Sequence, residues 1–150
     1  MPIPPSVTKV TKDGVEFISS VDRVNYTIKE LSRAALRDVG KFVCKTFRQS
    51  FYGHFKRRKG FVGRFTQYWV RHKYEGSPSL QVGVKPNAFY GGFQELGTSK
   101  TPKLGFLSSA VQDNIQEIVE IESQYLSALE DEARALALIS EEEYQGGGEE

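Results

Sequence analysis

The sequence predicts an α+β fold in which a small, mostly antiparallel sheet packs against two long amphipathic helices. Apolar residues recur at three- and four-residue steps over two long stretches, and they alternate with polar residues over several short ones. The resulting order of strands, helix, strands and helix is typical of a layered α+β structure. With 150 residues the chain has the length of one domain, which we place at 1–140, with a leader at 1–5 and a polar tail at 141–150.

The first predicted elements are a hairpin and a long helix. The stretches SVTKV and VEFIS flank the turn signal Asp13-Gly14. From about Asp22, a suitable N-cap, the apolar period becomes helical and continues to Phe51. Gly40 lies within this helix, where it either weakens the helix or allows a close contact. The polar side of the helix is basic and carries Lys29, Arg33, Arg37, Lys41, Lys45 and Arg48.

The middle of the chain is expected to form a loop and a second hairpin. Tyr52 to Phe65 contain three glycines and no apolar period, which predicts a loop. Polar and apolar residues then alternate over Gln67 to Tyr74 and over Leu80 to Val84. Pro86 ends the second strand, and Asn87 to Gly97 form a short helix or an irregular aromatic segment.

A second long helix is expected to begin at Leu104, because the helical period returns there and continues to Ile139. Val111 and Ile115 belong to its predicted apolar side. The acids of this helix lie mostly outside that side, so we interpret them as a solvated or partner-facing surface rather than a paired-carboxylate site. Those assigned to a subunit interface are Glu117, Glu120, Glu130 and Asp131.

The net charge of +1 hides a strong segregation of charge along the chain. Residues 1–110 contain nineteen Lys or Arg and seven Asp or Glu, whereas residues 111–150 contain one and twelve. The first part therefore carries +12 and the last part −11. No acid lies between Asp38 and Glu75. This asymmetry indicates contact with a polyanion, or head-to-tail pairing of basic and acidic surfaces between copies.

The residues present favour no enzymatic site. Neither GxGxxG nor GxxxxGK[ST] occurs, and Cys44 is the only cysteine, in an apolar helical pattern that predicts a core or interface residue. We therefore predict no catalytic residue, no cofactor and no metal. A nuclease built on His54 or His72 with Glu95 is the enzymatic alternative, since acid–base groups need only meet in space. No apolar run is long enough to span a membrane, and we expect no membrane partner.

The loop at 54–65 is the candidate nucleic-acid contact. It interleaves Phe55, Phe61 and Phe65 with cations, and such combinations bind nucleic-acid backbones and single strands. Equally, the phenylalanines can anchor the loop to the core while the cations stay solvated. Arg64, Arg71 and Lys73 would extend the positive patch onto the sheet.

The segment from Phe93 to Val111 resembles a motif of tailed-bacteriophage proteins. It reads FQELGTSKTPKLGFLSSAV, in which Glu-Leu-Gly-Thr-Ser-Lys precedes a proline and then Phe-Leu-x-x-Ala at a helix start. This order is similar to the phage tail-component family of head–tail joining or tail-completion proteins. Glycine and short polar residues here indicate a packing corner rather than an active site, formed by Glu95, Gly97, Thr98, Pro102, Phe106 and Leu107.

The resemblance implies a structural protein of the virion, at the head–tail junction, assembled in the cytoplasm of the host bacterium. It implies a ring of copies, sixfold, with neighbouring neck, portal-adaptor or tail-terminator proteins as further partners. Double-stranded DNA would pass through the ring and be contacted without sequence specificity. The residues expected to face it are Lys56, Arg57, Arg58, Lys59 and Arg64. The alternative is a stand-alone nucleic-acid-binding module or small nuclease that uses the basic loop at 54–65.

Overall fold

A computed structural model of the protein describes residues 7–10, 16–19, 21–55, 61–71, 78–131, 134–135 and 137–139. The chain forms two compact units, one of Met1–Ala34 with Tyr125–Glu150 and the other of Ala35–Gln124. Helices and small antiparallel sheets together confirm the predicted α+β class. The single domain at 1–140 stays a prediction, and its leader at 1–5 and tail at 141–150 lie outside the described residues.

The first unit contains a hairpin, the beginning of the long first helix and the last described helical residues. Strands β1 (Val7–Val10) and β2 (Glu16–Ser19) pair antiparallel, which confirms the first predicted hairpin. Helix α1 (Val21–Phe55) begins one residue before the predicted start. Both sequence segments of this unit contribute buried apolar side chains. Leu31 and Ala34 come from the first segment, and Tyr125, Ala128, Ala135 and Ile139 come from the second.

The second unit is built around the C-terminal half of α1. Val39, Val43, Phe47 and Phe51 are buried in one core cluster, and their four-residue spacing places them along one side of the helix. Strands β3 (Thr66–Arg71) and β4 (Ser79–Val84) pair antiparallel, which confirms the second predicted hairpin over the described residues. Alternate residues of β4 pack against the α1 cluster, namely Leu80, Val82 and Val84.

Strand β3 lies in close contact with α1 at Gly40. A Cβ atom on Gly40 would lie 2.6 Å from Cγ of Tyr68, well inside the separation at which nonbonded carbons attract. Gly40 is buried, and α1 continues through it without a break. Of the two roles that the sequence allows for Gly40, the structure shows the close contact.

The loop predicted from Tyr52 to Phe65 is partly helical. Helix α1 continues to Phe55, and a short helix, α2 (Phe61–Arg64), precedes β3. The rings of Phe51 and Phe55 lie 4.6 Å apart, so the packed side of α1 extends one turn beyond its predicted end. The remainder of the predicted loop, at 56–60, lies outside the described residues.

The prediction of one continuous second helix is wrong. The chain after β4 forms a 3-10 turn (Pro86–Ala88) and three helices, α3 (Gly91–Leu96), α4 (Phe106–Gln112) and α5 (Ile115–Ser127), before a further 3-10 turn (Ala128–Glu130). The helix breaks between α4 and α5, where the side-chain amide of Asn114 donates to the Ala110 carbonyl at 3.0 Å. A continuous helix would pair that carbonyl with the backbone N–H of Asn114. Asparagine side chains compete for such acceptors and favour turns.

Replacing Gly40 with alanine is expected to destabilise the protein, although alanine favours a helix interior by up to about 1 kcal/mol over glycine. The added methyl group would meet the Tyr68 ring, and overpacking of this kind costs about 1–3 kcal/mol. Gly53→Ala in the same helix is the matched control, because no described atom lies within 4 Å of the position its Cβ would take. Urea unfolding measures both variants. A Gly40→Ala protein as stable as Gly53→Ala would contradict this packing.

Candidate functional site

The basic run Lys56, Arg57, Arg58 and Lys59 lies outside the described residues, but the structure shows where the chain leaves and returns. Helix α1 ends at Phe55, and α2 begins at Phe61. Arg48 of α1 holds the returning chain. Its guanidinium donates from Nε to the Gly63 carbonyl at 3.0 Å and from Nη2 to the Thr66 carbonyl at 2.8 Å. The run therefore joins two ends that are both fixed on α1.

Close packing and a buried hydrogen bond reinforce this return point. The Thr66 hydroxyl, which is buried, donates to the Val62 carbonyl at 2.7 Å. A Cβ atom on Gly63 would lie 2.6 Å from the ring of Tyr52 in α1, so only glycine fits there without a shift. Helix α2 is thus set directly against α1. The residues before and after the basic run therefore both lie in well-packed parts of the second unit.

The phenylalanines on either side of the basic run differ in their packing. Phe65 packs against the core cluster of the second unit. Phe55 is 36 % exposed, and its ring lies 4.6 Å from the buried Phe51 ring at a tilt of 44°. Of the two roles that the sequence allows, the structure gives Phe65 the anchoring one. The side chain of Phe61 lies outside the described part of the structure.

The outward face of the β3–β4 hairpin combines cations with an aromatic ring. Trp69 is 56 % exposed, and the guanidinium carbon of Arg71 lies 5.5 Å from its ring centroid. At the other end of β3, the guanidinium carbon of Arg64 lies 5.9 Å from the Phe65 ring. No acid occurs in the sequence from 61 to 71 or from 78 to 94. The face is therefore basic near both ends of β3; Lys73, predicted to extend it, lies outside the described residues.

The carboxylate of Glu95 caps helix α4. Its Oε2 accepts from the backbone N–H of Leu107, and its Oε1 accepts from the backbone N–H and the hydroxyl of Ser108, all at 2.9 Å. Backbone N–H groups in the first turn of a helix have no partner within the helix, so a carboxylate there satisfies them and interacts well with the helix dipole. Glu95 thus joins the end of α3 to the start of α4.

Of the candidate acid–base residues, the two that the structure describes, His54 and Glu95, do not form a pair. His54 packs edge-on against the rings of Phe55 and Phe106, with centroids 4.8 and 5.4 Å away. Glu95 is engaged by the cap of α4, and among the described residues it makes no hydrogen bond with His54. His72, the other candidate, lies outside those residues. The observed contacts of His54 and Glu95 are packing and capping contacts.

The predicted corner turns at Gly97 and Thr98. Gly97 has a φ of 79°, the positive value expected of it, and a Cβ there would lie 2.9 Å from the backbone nitrogen of Lys103. The Thr98 hydroxyl oxygen accepts from the backbone N–H groups of Lys100 and Thr101 at 3.3 and 3.1 Å. These bonds close a tight turn. Glycine is required here both by backbone conformation and by space.

Beyond this turn the chain folds back along α3 and enters α4. Pro102 is exposed, and two residues later the backbone N–H of Leu104 donates to the Gln94 carbonyl at 2.9 Å. Phe106 and Leu107 then pack against the core cluster of the second unit. The motif residues therefore fix the direction in which α4 leaves α3.

The acids assigned to a subunit interface divide between the two units. Glu117 and Glu120 are exposed on α5 within the second unit, whereas Glu130 and Asp131 are exposed in the first unit. The two pairs therefore belong to different units of the chain. Their role in contacts between copies stays a prediction.

Exposed apolar residues are a feature that the sequence analysis missed. Phe89, Phe93 and Leu96 are exposed around α3, and Ile115 and Val119 are exposed on α5. Ile115 belongs to the predicted apolar side of the second helix, but it is exposed. Spacings of three and four residues were the available signal, but such spacing marks one side of a helix without showing what covers that side.

Replacing Glu95 with alanine is expected to destabilise the protein by about 1–2 kcal/mol, because donors at the start of α4 lose their acceptor. Glu120→Ala is the matched control. Glu120 is exposed on α5, so its replacement should change the free energy of unfolding by less than about 0.5 kcal/mol. Thermal unfolding followed by circular dichroism compares the two, and equal effects would argue against the cap.

The part of the chain that the structure describes contains no group of three or more His, Cys, Asp or Glu residues arranged to hold a metal ion. Within the same ranges, no helix combines the length and apolar character needed to cross a membrane. Cys44 is buried, as expected for a core residue. No family model, curated protein or solved structure matches the chain.

Proposed function

We propose that the protein is a structural component of a tailed-phage neck. It forms a ring that joins or completes the tail at the head–tail junction and lines the DNA channel. The observation that carries this proposal is the motif from Phe93 to Val111, whose polar groups are used to build a corner. Its single acid, Glu95, caps a helix rather than facing a substrate. The protein is assembled in the cytoplasm of the host bacterium and resides in the virion.

Charge segregation supports assembly from several copies. The chain carries +12 over residues 1–110 and −11 over residues 111–150. Head-to-tail contacts bring the basic surface of one copy to the acidic surface of the next and relieve repulsion within each. A sixfold ring closes such contacts. Neighbouring neck, portal-adaptor or tail-terminator proteins bind the two faces of the ring.

The basic run supplies the contact with DNA in this proposal. Four consecutive cations, followed by Arg64, attract phosphates of any sequence, which suits a duplex that slides through a channel. Arg48 supports this role indirectly, since it holds the Gly63 and Thr66 end of the run against α1.

Removing two cations from the run is expected to weaken duplex binding and its salt dependence. In Arg57→Ala/Arg58→Ala, the slope of log K against log salt concentration should become shallower by about 2. Lys29→Ala/Lys45→Ala removes the same charge from exposed positions of α1 and is the matched control. Fluorescence anisotropy with a labelled duplex measures both. Equal changes in the two variants would mean that net charge, not this run, binds DNA.

The oligomeric state tests the ring directly. In size-exclusion chromatography with light scattering, the protein is expected to elute at about six times the mass of one chain, without requiring DNA. A monomer at every concentration that binds DNA with a steep salt dependence would overturn the neck proposal. It would favour the stand-alone module instead.

A stand-alone nucleic-acid-binding module is the second candidate, and the exposed Trp69–Arg71 pair favours it. Exposed rings beside arginines stack on unpaired bases. Trp69 is the only tryptophan of the chain, so its fluorescence reports on this face alone. Strong quenching by a single-stranded oligonucleotide, weakened in Arg71→Ala and absent with duplex DNA, is the result that this candidate requires. The neck proposal expects little quenching by either.

A further inference from the structure

An apolar row on α3 faces away from the core of the second unit. Phe89, Phe93 and Leu96 are 70, 53 and 75 % exposed. Phe93 and Leu96 are three residues apart on α3 and share one side of it, and Phe89 lies in the turn just before α3, with a helical φ of −52° and ψ of −31°. The Phe89 and Phe93 rings meet edge to face, with centroids 6.2 Å apart. Gly91, on the opposite side, lies against Val62 of the core. We call the three exposed residues the α3 row.

A second apolar row lies on α5. Ile115 and Val119 are 56 and 52 % exposed, and Glu122 continues their line at three-residue spacing. On the inward side, Ile118 and Ile121 pack against the core cluster. We call Ile115, Val119 and Glu122 the α5 row. Each row runs over eight residues, 89–96 and 115–122, which on α5 corresponds to roughly 10 Å of helix.

The two rows have neighbours of opposite charge. From 76 to 112 the sequence contains one acid, Glu95, whose carboxylate is engaged at the start of α4. The exposed cations in that stretch are Lys85, Lys100 and Lys103. From 111 to 124 the sequence contains no base and four acids, Asp113, Glu117, Glu120 and Glu122. In the sequence, the α3 row is therefore flanked by exposed lysines, and the α5 row is flanked by acids.

The geometry points to a contact in which the α3 row of one copy docks on the α5 row of a second copy of this chain. This inference rests on the proposed ring and names the surfaces that build it. Large exposed apolar rows rimmed by charge mark interaction surfaces, and unlike charge selects the pairing. Pairing α3 with α3 would bring lysines against lysines, and pairing α5 with α5 would bring acids against acids. A contact between two different surfaces is heterologous, as ring assembly requires.

Glu122 determines how the α5 row of one copy aligns along the α3 row of the next. It is the charged member of an otherwise apolar row, and docking would place it against the basic surface around the α3 row. Lys100 and Lys103 lie just beyond Leu96 in the sequence and are both exposed. Glu122 therefore meets these lysines when Ile115 and Val119 meet the aromatic rings.

Disulfide trapping tests the pairing on the whole chain. Phe93→Cys protein, carrying a mass tag, is mixed with untagged Val119→Cys protein and oxidised. Cys44 is buried and should contribute little background. A reducible heterodimer is expected to be the main product. The control mixture pairs Phe93→Cys with Gln124→Cys, which lies on α5 about 140° from Val119 around the helix axis and should give at least about tenfold less heterodimer.

Each other outcome overturns the inference in a distinguishable way. Predominant Phe93→Cys homodimers would show a two-fold pairing of α3 rows. Equal heterodimer yields in the test and control mixtures would show random collision. If wild-type protein elutes as a ring but neither mixture cross-links, the ring is built on other surfaces and only this inference fails. If wild-type protein is monomeric at every concentration, the proposed function fails with it.

Charge reversal provides a second readout. Glu122→Lys should weaken self-association by at least about tenfold, because it places a cation against the basic surface. Adding Lys100→Glu and Lys103→Glu to the same chain should recover most of that loss. Asp113→Lys makes the same charge change at an exposed position outside α5 and should weaken association less. Sedimentation velocity measures all of these. If the combined variant does not recover association, Glu122 is not part of the contact.

Discussion

The absence of a side chain at Gly40 allows the β3–β4 hairpin to reach α1, and the second unit depends on that contact. Tyr68 occupies the space that any other residue at position 40 would fill. Because side chains alternate along a strand, an inward Tyr68 turns Trp69 outward, and Arg71 with it. The close contact between Gly40 and Tyr68 thus packs β3 against α1. It also determines that Trp69 and Arg71, rather than Tyr68, are available for binding.

The basic side chains of this protein fall into two groups. Some form structural contacts, and others remain accessible to a partner. Arg48 gives its donors to two backbone carbonyls and so fixes the turn that follows the basic run. Arg33 pairs with Glu30 at 2.8 Å on α1. By contrast, Arg64 and Arg71 lie over exposed or half-buried rings near the two ends of β3. A count of cations between Val39 and Tyr74 therefore overstates the surface that an anion can reach.

Sequence periodicity predicts a helix or strand correctly where the apolar residues that define the period are also packed in the structure. It predicts the C-terminal half of α1 and the β3–β4 hairpin, because their apolar periods continue through segments that pack on a core. The β1–β2 hairpin follows from the Asp13-Gly14 turn signal between two apolar runs. Periodicity fails at Asp113–Asn114, since the apolar period passes from Val111 to Ile115 without a gap, and a side-chain hydrogen bond of Asn114 decides the break. The corner is predicted in part. The positive φ of Gly97 follows from residue type, but the bond from Leu107 to Glu95 joins residues twelve apart and follows from the fold.

The exposed rows could not be identified from the sequence for a related reason. A helix with a wide apolar side can bury all of that side or leave a strip uncovered, and both give the same period. On α5, Ile118 and Ile121 are covered while Ile115 and Val119 are not. Only the contacts of neighbouring elements show where the core ends and an unpaired surface begins.

Leaving large apolar side chains in water is costly compared with covering them, by about 1.5–3 kcal/mol for each side chain that becomes fully buried. Two different rows with opposite charge are what a heterologous contact needs, and such contacts close into a ring or continue as a filament according to the rotation between subunits. Both rows belong to the second unit, where Gly91 fixes α3 against Val62 and Ile118 fixes α5 on the core. The core of that unit therefore sets the angle between the two surfaces. In the proposed ring, closure depends on the packing beneath the two rows as much as on the rows themselves.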